Sequence, residues 1–203
     1  FLLYFVFLYN SSKCCCNLER EMFMITKIIV GYPGIGKTYL GNTFSDVIDI
    51  DSSDYHWIYH NHEVARDIER RKDCQDRELN SSWPYNYIEA ISQLYHQEEY
   101  SYILVVFKTE ILPLLSAKGL PFTIVVPRKE LKEEYRQRYI SRNNSNAYIS
   151  RMLLEWDDDM RQIESFSNVY YLDSCEYLTD FVATVCALEV GQECGKKKVY
   201  KID

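Results

Sequence analysis

The stretch Lys27-Ile28-Ile29-Val30-Gly31-Tyr32-Pro33-Gly34-Ile35-Gly36-Lys37-Thr38 decides how the rest of this chain is read. A short β-branched run ends in Gly-x-x-x-x-Gly-Lys-Thr, and residues 39–44 can start a helix. That is a phosphate-binding loop in its strand–loop–helix context. Gly31, Gly34 and Gly36 let the backbone turn tightly and bring its N–H groups against phosphate oxygens. The helix behind them adds the positive end of its dipole. Gly31, Tyr32, Pro33, Gly34, Ile35, Gly36, Lys37, Thr38 and Tyr39 are therefore the expected cradle for a nucleoside triphosphate. Lys37 is expected to bridge the β- and γ-phosphates, and the Thr38 hydroxyl to ligate Mg²⁺. The competing reading, a Gly-rich turn with an incidental lysine, is weakened by the clean strand in front of it.

Composition bounds the answer. At 203 residues, 47% hydrophobic and 26% charged, the chain suits one globular domain with a sizeable core. A net charge of −7 argues against binding nucleic acid by bulk electrostatics, although a local basic cleft is compatible with it. Cys14, Cys15 and Cys16 are adjacent, whereas Cys74, Cys175, Cys186 and Cys194 are scattered. With no CxxC pair, neither a zinc site nor a disulfide framework is indicated, and a reduced cytoplasmic compartment is expected.

Residues 1–9 are apolar but too few to span a bilayer as a helix. They fit the remnant of an anchor, with the cysteine triplet as palmitate acceptor, or upstream sequence before a start at Met22 or Met24. We take the second reading. Residues 1–23 are then outside the fold, 24–190 form the domain, and 191–203 are a disordered tail. No membrane association is expected of 24–203.

Outward from the loop, 47–50 reads as a second strand running into Asp49-Ile50-Asp51-Ser52-Ser53-Asp54-Tyr55. Asp49 and Asp51 share a strand face, at the carboxyl end where open α/β sheets place ligands. The plainer alternative is an acidic N-cap for the next helix. Residues 60–79 read as a charged, solvated helix whose Arg66, Arg70 and Arg71 either reach an anionic substrate or pair with neighbouring acids. After Ser81-Ser82-Trp83-Pro84, a helix presents Ile88, Ile91, Leu94 and Tyr95 on one stripe.

The run 102–107 is continuously apolar, as a central parallel strand should be. It ends in Lys108-Thr109 where many phosphate-loop enzymes have an aspartate, so Asp51 is expected to serve the metal instead. A helix over 111–118 ends at Gly119, and 122–126 makes a fourth strand. The basic segment 128–142, running into Asn143-Asn144-Ser145-Asn146, suits a mobile lid. Its Arg138 would be catalytic and its Arg136 and Arg142 substrate-facing, offsetting charge on the transferring phosphoryl group. A surface pair between Glu134 and Arg138 is the competing reading. A helix over 147–166 buries Met152, Trp156, Met160 and Ile163, leaving Asp157-Asp158-Asp159 as its solvated face. A fifth strand at 169–172 and a closing helix at 176–190 complete the pattern.

Strands alternating with helices give a parallel sheet covered on both faces. On Gly31–Thr38 and Asp49-Ile50-Asp51, the stretch 24–190 resembles the small phosphate-loop kinases of the nucleoside monophosphate kinase type. The Asp-x-Asp is also similar to that of shikimate and gluconate kinases. Asp-Ile-Asp-Ser-Ser-Asp-Tyr is similar to the corresponding region of polynucleotide 5′-kinases and zeta-toxin-like kinases. The resemblance implies a three-layer αβα P-loop NTPase fold with strand order 2-3-1-4-5, a helical acceptor-binding insertion and a lid. It implies ATP and Mg²⁺ as cofactors, a small-molecule phosphate acceptor such as a nucleotide or nucleoside, and acceptor contacts at Asp49 and Asp54. A GTPase would need Asn-Lys-x-Asp and Asp-x-x-Gly, and an AAA-type motor an Asp-Glu pair; this chain has none of these. Two other readings stay open: a 5′-hydroxyl polynucleotide kinase, and an ATP-binding regulatory module that transfers nothing.

Overall fold

The computed structural model describes residues 27–66, 71 and 74–185. The chain runs β1 (Ile28–Gly31), α1 (Lys37–Thr43), β2 (Val47–Asp49), α2 (Ser53–His56), β3 (Trp57–Tyr59), α3 (His62–Arg66) and β4 (Arg77–Leu79). It continues through α4 (Tyr85–Gln97), β5 (Tyr102–Val106), α5 (Leu112–Ala117) and β6 (Phe122–Pro127). A 3₁₀ turn (Lys129–Leu131), α6 (Lys132–Ser141), α7 (Asn146–Ile163), β7 (Val169–Leu172) and a helical segment over 178–185 follow. The expectations for 1–23, for Arg70, for the end of the closing helix and for 191–203 lie outside the described residues.

β1, β2, β5, β6 and β7 form one parallel sheet in the lateral order β2-β5-β1-β6-β7. Counted within that sheet alone, this is the expected order 2-3-1-4-5. The central position of β1 follows from its sequence. Ile28, Ile29 and Val30 have no exposed surface, and neither do Ile103, Leu104 and Val105 beside them or Ile124, Val125 and Val126 on the other flank. A strand buried on both faces must be apolar at every position, and parallel neighbours require helical crossovers between them. The sheet therefore brings the loops after β1, β2, β5, β6 and β7 to one edge.

The insertion between β2 and β5 departs from expectation. Of the helix read over 60–79, the described residues place α3 at His62–Arg66 and a helical Arg71, whereas 77–79 is a strand, paired antiparallel with β3 (Trp57↔Leu79, Ile58↔Glu78, Tyr59↔Arg77). Trp-Ile-Tyr favours a pleated ribbon, and the Arg77 guanidinium lies 4.3 Å over the Trp57 ring across it.

α7 anchors the other side. Ser145 caps it, its hydroxyl accepting from the Tyr148 N–H at 3.3 Å. Met152, Trp156, Met160 and Ile163 are buried as their spacing predicts. Trp156 packs edge-on to Tyr32, with centroids 5.3 Å apart, and against Tyr135 at 5.4 Å, while its Nε1–H donates to the Lys129 carbonyl at 3.0 Å. Trp156→Ala should destabilise the fold by about 3–5 kcal/mol. Trp156→Phe, which mainly leaves the Lys129 carbonyl without its donor, should cost about 1–3 kcal/mol. Urea unfolding monitored by circular dichroism measures both; equal midpoints for wild type and Trp156→Ala would show that the ring is not part of the core.

Candidate active site

The turn after β1 needs backbone that side chains resist. Gly34 and Gly36 take φ of +90° and +99°, and Gly36 hands the chain directly to α1. Lys37 folds back across the turn: its Nζ donates to the Gly31 carbonyl at 2.8 Å and lies 3.3 Å from that of Tyr32. Burial pushes the Lys37 ammonium down to about 8, partly countered by Asp49 and Asp51, with Arg142 adding to the depression.

One turn of α1 sets Thr38 against β2, where its Oγ1 donates to Asp49 Oδ2 at 2.9 Å. Gly41 makes that approach possible: a Cβ there would sit 3.1 Å from Asp49 Cβ and 3.2 Å from its backbone N. Burial raises the Asp49 carboxyl, opposed by Lys37 and by the Thr38 hydrogen bond. The carboxylate beside the Thr38 hydroxyl is thus Asp49, not Asp51 as expected. Asp51 points its oxygens at Ser53, accepting from the backbone N–H at 2.9 Å and from Oγ at 2.7 Å. It thereby satisfies the first N–H of α2 from one residue ahead of the N-cap position, Ser52, whose own side chain makes no capping bond, while staying close enough for its charge to act on Lys37. Asp54 is paired with Arg71.

The lid expectation is corrected most sharply at Arg138. Instead of hanging over the loop, it is buried. Its Nη2 donates to Glu134 at 2.6 Å and to the Glu176 carbonyl at 2.9 Å, and Nη1 lies 3.5 Å from the Gly34 carbonyl. Its guanidinium stacks between Tyr135 and Tyr177, 4.6 and 4.1 Å from their centroids. The Tyr139 hydroxyl donates to the Pro33 carbonyl at 3.1 Å, and its ring would touch a Cβ on Gly34 at 3.0 Å. α6 is therefore a buttress behind the phosphate loop. Burial works against the Glu134 carboxylate, but hydrogen bonds from Ser174, the Cys175 N–H and Arg138 hold it below the usual range. Arg136 pairs with Glu133 at 3.2 Å on the exposed side. Of the three arginines, Arg142 is the one whose charge reaches Lys37 and Asp49.

The acidic triplet on α7 also divides. Asp157 pairs with Lys132 and Asp158 with Arg161, both exposed, but Asp159 turns inward to accept from the Tyr32 hydroxyl at 3.1 Å. Burial lifts its carboxyl to about 6, reinforced by Glu155, Asp158 and Glu110 and opposed by the Tyr32 hydrogen bond. The folded state thus holds this proton more tightly than the unfolded chain does. As pH rises from about 4 to about 6 the unfolded chain ionises first, so Asp159 subtracts stability over that window and the full loss persists above it. Asp159→Asn keeps an acceptor for Tyr32 and should stabilise the protein at pH 7.5 by on the order of 1–2 kcal/mol, discounted for partial exposure. Thermal unfolding at pH 4.5 and 7.5 tests this: the gain should be confined to the higher pH.

On the insertion side, Lys108 Nζ lies 3.2 Å from His56 Nδ1 and 4.7 Å over the Trp83 ring. His56 is flanked by Trp57 and Trp83, each 4.5 Å away, and Trp83 stacks on Tyr87 at 5.5 Å. The Tyr87 hydroxyl in turn donates to the Ile50 carbonyl at 2.9 Å, fixing this group next to the carboxyl end of β2. None of this was legible from spacing, since His56 and Trp83 are far apart in the chain and no periodic pattern joins them.

No family model matches the chain, and no curated protein matches it. Among solved structures, a gluconokinase from Sinorhizobium meliloti 1021 is similar at 15% identity and a TM-score of 0.44, over 88% of this chain and 100% of that one. The sheet order and the loop geometry define the phosphate-loop α/β fold without it. Among the described residues, no helix is long and apolar enough to cross a membrane.

Proposed function

We propose that this chain is a Mg²⁺-dependent phosphotransferase that moves the γ-phosphate of ATP to the hydroxyl or phosphate of a small acceptor, with nucleotides and nucleosides the first class to try. The observation that carries this reading is the Thr38–Asp49 hydrogen bond beside Lys37, at the mouth of a loop built for phosphate. A hydroxyl and a carboxylate are hard oxygen donors of the kind Mg²⁺ takes from a protein while phosphate and water fill its other positions. Among the described residues no group of three or more His, Cys, Asp or Glu can hold a metal by itself, so the cation would arrive with the triphosphate. When bound it would neutralise charge on the transferring phosphoryl group.

The chain's own residues supply the rest. Lys37 swings from the Gly31 carbonyl to the β- and γ-phosphates. Asp49 orients Thr38. Asp51, exposed at the start of α2, can release Ser53 and accept the proton of an acceptor hydroxyl. Arg142 offers its charge from the end of α6, the part taken by Arg138 in the lid expectation.

The test is ADP formation from MgATP by the full chain, with acceptors pooled as nucleoside monophosphates, nucleosides, small hydroxy acids and 5′-hydroxyl oligonucleotides. ADP that depends on one pool supports transfer and names the acceptor class. Tight ATP binding with no ADP in any pool would favour the regulatory module over the phosphotransferase.

A further inference from the structure

Four successive carbonyls of the phosphate loop face donors from elsewhere in the chain. Pro33 accepts from the Tyr139 hydroxyl at 3.1 Å, and Gly34 faces Arg138 Nη1 at 3.5 Å. Ile35 accepts from the Leu178 N–H at 2.8 Å and Gly36 from the Leu40 N–H at 3.1 Å. A trans peptide points its carbonyl and its N–H to opposite sides, so each contact also aims the N–H of the next residue. The N–H groups aimed in this way are those of Gly34, Ile35, Gly36 and Lys37. Among the described residues they make no hydrogen bond, which leaves them to an anion.

Pro33–Gly34 is a peptide whose direction the backbone itself leaves open. Proline followed by a glycine at φ +90° is the central pair of a type II turn. Rotating the peptide between them gives a type I turn, with Gly34 at a φ of about −90°. Proline suits both turns, and glycine takes either sign of φ. In the rotated form the Pro33 carbonyl replaces the Gly34 N–H on the phosphate side, where it repels phosphate oxygens. The donor that decides between the two forms is a side chain. Tyr139 has no exposed surface, and its ring is held edge-on by Tyr148 and Tyr135, with centroids 5.7 and 6.2 Å away. Burial raises its hydroxyl pKa, with Tyr148 and Tyr135 adding and Arg142 opposing, so it stays a donor.

We propose that Tyr139 is a positioning residue for phosphate binding: its hydroxyl fixes the Pro33–Gly34 peptide with the carbonyl behind and the N–H in front, so the cradle is formed before the ligand arrives. This rests on the phosphate-loop reading of 31–38 and not on transfer to an acceptor. Without the hydroxyl, the Pro33 carbonyl loses its donor and the peptide turns over in part of the population. Ligand then binds the remaining fraction, and apparent affinity falls by that fraction. A filled site has the right peptide orientation either way, so the rate at saturation is preserved.

Pro33-Gly34 is the only Pro-Gly pair in the sequence. Labelling the full chain with ¹³C-carbonyl proline and ¹⁵N-glycine therefore leaves one signal in a carbonyl–amide correlation spectrum, that of Gly34. In the unliganded wild type this signal should be single and free of microsecond–millisecond exchange. In Tyr139→Phe, which keeps the ring, it should be displaced or broadened by exchange, and saturating pyrophosphate should restore the position it has in the liganded wild type. Calorimetry should show MgADP and pyrophosphate binding that variant about fivefold or more weakly, and by the same factor, because the change lies at the phosphates. In turnover the KM for MgATP should rise likewise, with kcat within about twofold of wild type. Exchange at Gly34 in the unliganded wild type overturns the proposal without recourse to any variant. So does weaker binding by Tyr139→Phe with an unmoved Gly34 signal, which would make Tyr139 a packing residue, and so do wild-type affinities. A wild type that binds neither MgADP nor pyrophosphate would overturn the phosphate-loop reading and this proposal with it. Intact binding, a displaced Gly34 signal in Tyr139→Phe and no ADP from any acceptor would overturn transfer alone and leave the role of Tyr139 in place.

Discussion

Replacing Lys37 by alanine lowers ADP formation by roughly a hundred- to a thousandfold without unfolding the protein. The two halves of that expectation have separate causes. Turnover falls because the lysine folded across the phosphate loop, on the Gly31 carbonyl, is lost. Stability holds because Lys37 is a burden to the folded state. Burial lowers its pKa from 10.5 to about 8, so the unfolded chain binds this proton more tightly. Between those values stability rises with pH, and below about 8 the folded state carries the full penalty of a charged, half-buried ammonium. Removing it leaves the melting temperature at pH 7 unchanged or higher, as calorimetry would report. The same shift predicts that MgATP affinity of the wild type falls as pH climbs through about 8, since the charged lysine is the form phosphate binds. In Lys37→Ala that pH dependence should vanish. A variant with wild-type turnover would remove Lys37 from the reaction altogether.

The sheet was legible because its strands are short apolar runs with no alternation, and a phosphate loop after the first of them leaves few arrangements. The insertion was not. β3 and β4 are three residues each, too short for periodicity to register, and their pairing joins segments about twenty residues apart. α6 misled for a different reason. Tyr135, Arg138 and Tyr139 lie at i, i+3 and i+4, one face of a helix, yet tyrosine and arginine read as polar and the segment passed for a solvated lid. They are amphipathic side chains with long apolar bodies, and here they are buried against Pro33 and Gly34. Asp159 hid in the same manner, since three consecutive aspartates look alike in sequence but occupy three directions on a helix.

Asp49 and Asp51 separate into different roles, and the second large effect follows from that. The two-residue period of a strand puts both on one face, so reading along β2 cannot rank them. The decision comes from α1, which approaches β2 closely only because Gly41 has no Cβ, and which delivers Thr38 to Asp49. Asp49→Asn should therefore cut turnover by roughly a hundredfold and shift the Mg²⁺ titration to higher concentration. The amide still accepts from Thr38 but no longer carries the charge a cation needs. Asp51→Asn should leave the Mg²⁺ midpoint near wild type. Its loss should fall on the acceptor-dependent rate, by roughly a hundred- to ten-thousandfold for a hydroxyl acceptor that needs a base, and far less for an acceptor phosphate already ionised. Titrating Mg²⁺ at fixed ATP in both variants separates the assignments. If Asp51→Asn moves the midpoint and Asp49→Asn does not, the metal belongs to Asp51, and the Thr38–Asp49 hydrogen bond serves only to pack α1 against β2.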